Sequence, residues 1–166
     1  IRLDDISVKE KEKETTKALI KGVVSGFLER KYAVGGFQAY ITSDVLIGAG
    51  LSSSAAFETL IGTILSGLYN EGKVSPVLIA QAGQYAENVF FGKPCGLMDQ
   101  MASSIGNLVH IDFANPEYPY VEKIDFDMEK YGYRLCITDT KGSHADLTDE
   151  YAAIPKEMKL VAKYLE

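Results

Sequence analysis

A short segment rich in glycine and serine joins a strand-like pattern to a helix-like pattern in the first half of the chain. The segment covers residues 46–56 and reads LIGAGLSSSAA. Upstream, residues 36–45 alternate apolar and polar side chains with the period of two that is typical of a half-buried strand. Downstream, residues 54–69 place apolar side chains at helical spacing. The sequence therefore predicts a strand, a tight turn and a helix in succession.

This turn has the properties of an anion site. The N-terminus of a helix presents backbone N–H groups without intrahelical acceptors and the positive end of the helix dipole. Gly48 and Gly50 permit close approach of the backbone, and the three serines at 52–54 add hydroxyl donors or a ligand for a hard metal ion. Serine and glycine are also ordinary capping residues, so phosphate binding and simple capping are equal alternatives at this point. No Gly-Lys-Ser/Thr follows the glycines, which excludes a Walker P-loop.

Composition limits the classes of function. The chain has 166 residues, of which 46% are hydrophobic and 24% charged, as in a globular protein with its own core. The net charge of −6 argues against sequence-independent binding of nucleic acid. No apolar run approaches the ~18 residues of a membrane span, and the N-terminus has no signal-peptide pattern. Cys95 and Cys136 lack the spacing of a disulfide framework, which predicts free thiols in a reducing compartment.

The rest of the chain predicts a mixture of helices and strands. Further helices are expected over residues 8–30 with Ser7 as the cap, 76–91 with Pro76 in the first turn, 97–105, and 148–166. Strands are expected over residues 108–113, 120–126 and 133–140. Because the later strands follow one another without intervening helices, the pattern favours an α+β fold.

Two acidic residues lie on either side of a predicted turn. Glu87 belongs to the predicted helix over 76–91, and Asp99 follows the turn at 92–96. A helical hairpin of this kind can bring both carboxylates to one site, where one binds Mg²⁺ and the other orients and deprotonates an attacking hydroxyl. In the alternative, Glu87 lies on a helix surface and Asp99 caps a short helix. The residues by themselves favour this alternative.

Several spaced motifs resemble one enzyme family. Residues 48–56 (GAGLSSSAA) are similar to the second motif of the GHMP small-molecule kinases. Within that superfamily, Lys21-Gly-Val, Gly35-Gly-Phe, Ala86-Glu-Asn and the sequence CGLMDQ at 95–100 resemble, in this order, the galactokinases. The Met-Asp-Gln segment distinguishes galactokinases from the mevalonate and homoserine branches. The resemblance extends over essentially the whole chain.

The resemblance implies an activity. A galactokinase is a cytoplasmic transferase that uses ATP and Mg²⁺ to phosphorylate galactose at its anomeric hydroxyl in the Leloir pathway of galactose metabolism. Its partners are these small molecules, with neither nucleic acid nor membrane, and the intact enzyme is expected to be a monomer. A non-catalytic sugar and ATP sensor of the same family remains an alternative interpretation, as does a kinase for another sugar such as N-acetylgalactosamine.

The resemblance also implies roles for individual residues. The ATP phosphates would be held by the backbone of the loop, which comprises Gly48, Ala49, Gly50, Leu51, Ser52, Ser53 and Ser54. Ser54 and Glu87 would coordinate Mg²⁺. Asp99 would face the sugar hydroxyl as the catalytic residue. Gly96 and Tyr151 would contact the sugar.

The same resemblance implies a domain organisation. Residues 1–131 correspond to the N-terminal, ATP-binding domain of a GHMP kinase, which resembles domain 2 of ribosomal protein S5, here without its first strands. Residues 132–166 begin the ferredoxin-like C-terminal domain. The N-terminal sugar-binding motif with the family's arginine, and the C-terminal glycine-rich motif, do not occur in this sequence. We therefore expect the chain to be the central part of a galactokinase, inactive by itself and prone to self-association.

Overall fold

The computed structural model describes residues 1–45, 50–138 and 148–165. The helices are α1 Thr16–Glu29, α2 Ser53–Tyr69, α3 Pro76–Tyr85, α4 Met98–Ile105 and α5 Thr148–Leu165. A π-helical segment, Ala86–Phe91, continues α3, and 3₁₀ turns lie at Glu10–Glu12 and Glu129–Tyr131. The strands are β1 Leu108–Asp112 and β2 Tyr120–Ile124, which pair antiparallel. This mixture confirms the predicted α+β class. None of the helices in these ranges is long and apolar enough to span a membrane.

Side-chain caps determine where two of the helices begin. The Ser75 hydroxyl accepts a hydrogen bond from the Leu78 N–H, and Pro76 occupies the first turn of α3, as predicted. The predicted start of the first helix near residue 8 is wrong. Ser7 donates its hydroxyl to Asp5 instead of capping, and Glu14 has a left-handed φ of 58° that interrupts any helical path. Thr15 then caps α1 by accepting from the Ala18 N–H.

The core lies between α1, α2 and α3. It contains the fully buried side chains of Val23, Phe27, Ile61, Leu65, Ala82 and Ala86. Gly22 lets α1 approach the start of the π-helical segment, since a Cβ at this position would lie 2.5 Å from the Ala86 Cα. The backbone that carries Glu87, the residue after Ala86, therefore rests directly on α1.

The predicted strands have different outcomes. β1 and β2 lie within the two ranges predicted for them, with Leu108 opposite Ile124 and Asp112 opposite Tyr120. The strand predicted over residues 36–45 is wrong, because the described residues provide no partner for it and Tyr40 is 94% exposed. Residues 133–138 likewise form no strand, and positions 139 and 140 of that prediction lie outside the described residues. The predicted final helix is confirmed as α5.

Candidate active site

The start of α2 is the centre of the candidate site. Gly48 and Ala49 of the predicted phosphate loop lie outside the described residues, and the structure begins again at Gly50, whose φ is 73°. Ser52 has left-handed dihedrals (φ 55°, ψ 45°), and its side chain does not cap the helix that starts at Ser53. The backbone N–H groups of the first turn are therefore not satisfied by the cap residue, which leaves them available to an anion.

Two carboxylates meet the serines of this turn. The Ser52 hydroxyl donates to Asp99 Oδ2 at 2.7 Å, and the Ser54 hydroxyl donates to Glu87 Oε1 at 3.1 Å. Glu87 is only 4% exposed, so the alternative that it lies on a helix surface is wrong. Both carboxylates therefore reach the start of α2 through one serine each, and their roles as metal ligand and base stay predictions.

The π-helical segment and the turn after it position these carboxylates. The Glu87 carbonyl accepts hydrogen bonds from the Gly92 and Lys93 N–H groups, at 2.9 and 3.1 Å, and Gly92 ends the segment with a φ of 91°. The Asn88 side chain then brackets Cys95: its Oδ1 accepts from the Cys95 N–H at 2.7 Å, and its Nδ2 donates to the Cys95 carbonyl at 3.3 Å. This pair of bonds holds the turn that leads into α4 and Asp99.

A buried amide joins Glu87 to a third acidic residue. Gln100 Nε2 donates to Glu87 Oε2 at 3.0 Å and to Glu58 Oε2 at 3.1 Å. Glu58 is 0% exposed and Gln100 1% exposed. This network was not predicted from the sequence. The available signal was that Glu58 interrupts the apolar face of α2, three residues after Ala55 and seven before Leu65.

The electrostatics of the network follow from its burial. Burial, reinforced by the nearby charge of Glu87, raises the pKa of Glu58 to about 8 although the Gln100 hydrogen bond opposes the shift. Glu58 is therefore largely protonated at neutral pH, which limits the negative charge collected beside Glu87. Burial also raises the pKa of the Cys95 thiol far above its ordinary value, which keeps this side chain a poor nucleophile.

The Lys21-Gly-Val motif has a packing role in the described structure. Lys21 is 2% exposed, and its ammonium lies 2.8 Å from Glu12 Oε2. Lys17 pairs with the other Glu12 oxygen at 2.8 Å, and these two lysines lower the pKa of Glu12 to about 2. These two ion pairs connect the 3₁₀ turn to α1, while Gly22 and Val23 pack into the core.

The other two residues predicted to contact the sugar are Gly96 and Tyr151. Gly96 lies in the exposed turn before α4, and a Cβ placed there would meet nothing within 4 Å. Tyr151 belongs to α5, but its side chain lies outside what the structure describes.

The donors at the start of α2 fit a magnesium ion better than a transition metal. The described residues contain no cluster of three or more His, Cys, Asp or Glu side chains suited to a metal. Ser54 and Glu87 instead offer two hard oxygen donors whose nearest atoms lie 3.1 Å apart. Mg²⁺ usually takes one or two protein carboxylates and completes its shell with water and substrate phosphate oxygens.

Comparison with known proteins agrees with this arrangement. The family profile of the GHMP kinases N terminal domain matches residues 18–107, which is more than half of the chain. The matched range contains the glycine- and serine-rich loop, Glu87 and Asp99. The chain belongs to the GHMP kinase family.

Within that family, the chain is similar to galactokinases, which confirms the resemblance of its motifs. It is 32% identical to the galactokinase of Clostridium tetani (strain Massachusetts / E88) over 98% of this chain and 42% of that protein. It is 40% identical to that of Pyrococcus furiosus over 61% of this chain and 30% of that protein. It is 35% identical to the galactokinase of Streptomyces coelicolor over 78% of this chain and 33% of that protein. The chain thus spans less than half the length of these curated relatives.

Proposed function

We propose that the protein containing this chain is a galactokinase, which transfers the γ-phosphoryl group of ATP to the anomeric hydroxyl of galactose. One observation carries the proposal: Asp99 and Glu87 meet two serines at the start of α2, within a chain of the GHMP kinase family. Its similarity to three galactokinases supports galactose as the acceptor.

In this proposal the start of α2 binds the phosphates of ATP. The backbone of residues 48–54 surrounds them, and the unsatisfied N–H groups of the first turn face their negative charge. Ser54 and Glu87 hold Mg²⁺, which when bound neutralises charge on the phosphates. Ser54 is half-buried and Glu87 nearly fully buried, so both donors are shielded from bulk water on the protein side.

Asp99 is the catalytic residue in this proposal. A sugar hydroxyl is far less acidic than a carboxylic acid, so Asp99 cannot remove its proton completely before phosphoryl transfer begins. In a loose transition state the nucleophile needs orientation first and proton acceptance late, and both fit a carboxylate. Asp99 is exposed and accepts a hydrogen bond from Ser52, so a substrate hydroxyl can take the place of that serine. Gly96 and Tyr151 complete the sugar contacts.

The proposal extends to the organisation of the whole protein. Residues 1–131 would belong to the ATP-binding domain, and residues 132–166 would open the second domain. The protein would act in the cytoplasm as a monomer. Free thiols at Cys95 and Cys136 agree with a reducing compartment.

Galactose-dependent release of ADP tests the proposed function. A coupled assay on a full-length protein that contains this chain would compare galactose, N-acetylgalactosamine, glucose and no sugar, with phosphorus NMR to identify the phosphorylated position. We expect turnover with galactose and a product phosphorylated at the anomeric oxygen. Binding of galactose and ATP without turnover would instead establish the sensor, and turnover restricted to another sugar would overturn the choice of substrate.

A further inference from the structure

We propose that Gln100 is a positioning residue, whose buried amide orients the Glu87 carboxylate toward Ser54 and is itself anchored by Glu58. The inference rests on the proposed function, in which Ser54 and Glu87 hold Mg²⁺. It deepens that function by assigning a role to two buried polar residues that contact neither phosphate nor sugar in the proposed mechanism.

The hydrogen bonds distinguish the two oxygens of Glu87. Oε2 accepts from Gln100 Nε2 at 3.0 Å, whereas Oε1 accepts from the Ser54 hydroxyl at 3.1 Å. The amide nitrogen of Gln100 has two hydrogens, and besides Glu87 it contacts Glu58 Oε2 at 3.1 Å and, at the longer distance of 3.6 Å, Cys95 Sγ. Oε2 of Glu87 is thereby fixed by Gln100, while Oε1 faces the start of α2, where the metal would bind.

The three residues of the network come from three different elements. Glu58 lies in α2, Glu87 in the π-helical segment and Gln100 in α4. Gly83 of α3 closes a further side, because a Cβ there would lie 3.1 Å from Glu58 Cβ and 3.2 Å from Gln100 Cγ. With every member less than 5% exposed, rotation of the Gln100 side chain would require the surrounding helices to move.

The network is arranged for orientation rather than for full satisfaction of its polar atoms. Within the described part of the chain, Glu58 Oε1 and Gln100 Oε1 are buried without a hydrogen-bond partner. A buried acceptor left unsatisfied is costly, and apolar residues of similar size would fill the same space without that cost. A role in holding Glu87 accounts for a polar bridge at this place.

Replacement of the amide by an apolar side chain tests the inference. Gln100→Leu and Gln100→Met remove both donors with little change of volume, and two variants guard against the failure of one to fold. The matched control is Gln81→Leu, since Gln81 donates to the Glu117 carbonyl outside the network. The probe is Mn²⁺, whose binding to the full-length protein with a non-hydrolysable ATP analogue is measured by electron paramagnetic resonance.

We expect both Gln100 variants to weaken Mn²⁺ binding by about 10- to 100-fold, as the loss of an outer-shell partner typically does. The Mg²⁺ concentration for half-maximal turnover should rise in parallel, whereas the affinity for the analogue without metal should stay unchanged. Gln81→Leu should behave as wild type. Glu58→Gln should retain Mn²⁺ binding, because its amide oxygen can still accept from Gln100.

Wild-type Mn²⁺ affinity in the Gln100 variants would overturn the inference, whatever happens to their melting temperatures. Loss of Mn²⁺ binding in Glu58→Gln as large as in Gln100→Leu would also overturn it. A wild-type protein that binds Mn²⁺ and the analogue but shows no galactose-dependent turnover would overturn the proposed function alone. A wild-type protein that binds no Mn²⁺ would overturn both.

Discussion

Two serines that are two residues apart hold two carboxylates in contrasting environments. In the Ser54–Glu87 pair, Glu87 is buried and Ser54 half-buried, and the second oxygen of Glu87 accepts a hydrogen bond from Gln100. The Ser52–Asp99 pair lies at the surface, where Ser52 adopts a left-handed conformation. The same turn of helix therefore presents one carboxylate with a fixed orientation and one that remains accessible.

This difference matches two chemical tasks. A metal ligand functions best when its orientation is set before the metal arrives, because the protein then loses little entropy on binding. A base that serves a transient substrate must instead release its resting partner and accept another one. In the proposed kinase, Glu87 performs the first task and Asp99 the second.

Removal of the accessible carboxylate should have the largest effect. We expect Asp99→Ala to lower galactose-dependent turnover by about 10²- to 10⁴-fold through loss of the general base, while nucleotide affinity stays close to wild type. Steady-state kinetics and calorimetric ATP titration of the full-length protein measure the two quantities. Asp125→Ala, at another exposed aspartate, is the control. Normal turnover in Asp99→Ala would show that Asp99 is not the base.

The stability of the protein should depend on pH through the buried carboxyl group of Glu58. Its pKa is about 8 in the folded protein, against 4.5 for an ordinary glutamate. Between these values the folded state binds more protons than the unfolded state, so the free energy of unfolding falls as pH rises through this window. Glu58→Gln cannot ionise and should lose this decline, becoming more stable than wild type above pH 8 by a few kcal/mol.

Urea denaturation from pH 5 to 9 in metal-free buffer measures this effect, with the exposed Glu122→Gln as control. Equal pH dependence in wild type and Glu58→Gln would contradict the assignment of the buried proton. It would also mean that Glu58 is ionised beside Glu87 at neutral pH.

A side chain added behind Glu87 should destabilise the protein, whereas one added at an open helical position should not. Gly22→Ala introduces a Cβ 2.5 Å from the Ala86 Cα, which must displace the segment that carries Glu87. We expect a loss of about 1–3 kcal/mol in stability and weaker Mn²⁺ binding. Gly67→Ala in α2 is the matched control, because its Cβ meets nothing within 4 Å and should stabilise the helix by about 0.5–1 kcal/mol. Equal stability of the two variants would show that Gly22 makes no close contact in solution.

The smallest effect is expected at Ser52. Ser52→Gly removes the hydroxyl that contacts Asp99 but relieves the left-handed conformation, and these opposing changes should leave stability within about 1 kcal/mol of wild type. Turnover should fall less than in Asp99→Ala, since the substrate hydroxyl replaces Ser52 in the reaction. Thermal denaturation and the ADP assay measure both. A loss of turnover equal to that of Asp99→Ala would mean that Ser52 is needed to orient the base.

The parts of the fold that local chemistry determines were predictable. Ser75 and Pro76 predict the start of α3, and two short apolar runs predict the strands β1 and β2. The strand predicted over residues 36–45 was wrong because alternation describes one face of a strand and does not supply a partner for it. The predicted start of α1 was wrong because Ser7 and Thr15 are both residues that can cap a helix. The left-handed φ of Glu14 interrupts a helix that starts at Ser7, so α1 begins after Thr15.

The candidate site was predictable to a similar degree. The motifs pointed to Glu87 and Asp99, and the turn between them explained how both could reach the serines. The network behind Glu87 was not foreseen, since Glu58 and Gln100 are 42 positions apart and only tertiary packing brings them together. A polar residue on the apolar face of a helix was the one local sign of it.

The π-helical segment makes the site sensitive to chain length as well as to residue type. Such a turn holds about one residue more than an α-helical turn, so Ala86–Phe91 acts as a single-residue insertion after α3. Its start packs on Gly22, while Asn88 binds Cys95 beyond its end. Deleting one residue between these contacts would rotate the following backbone by about 100°, and both contacts could not then be kept. A substitution in this segment can preserve both contacts, but a deletion cannot.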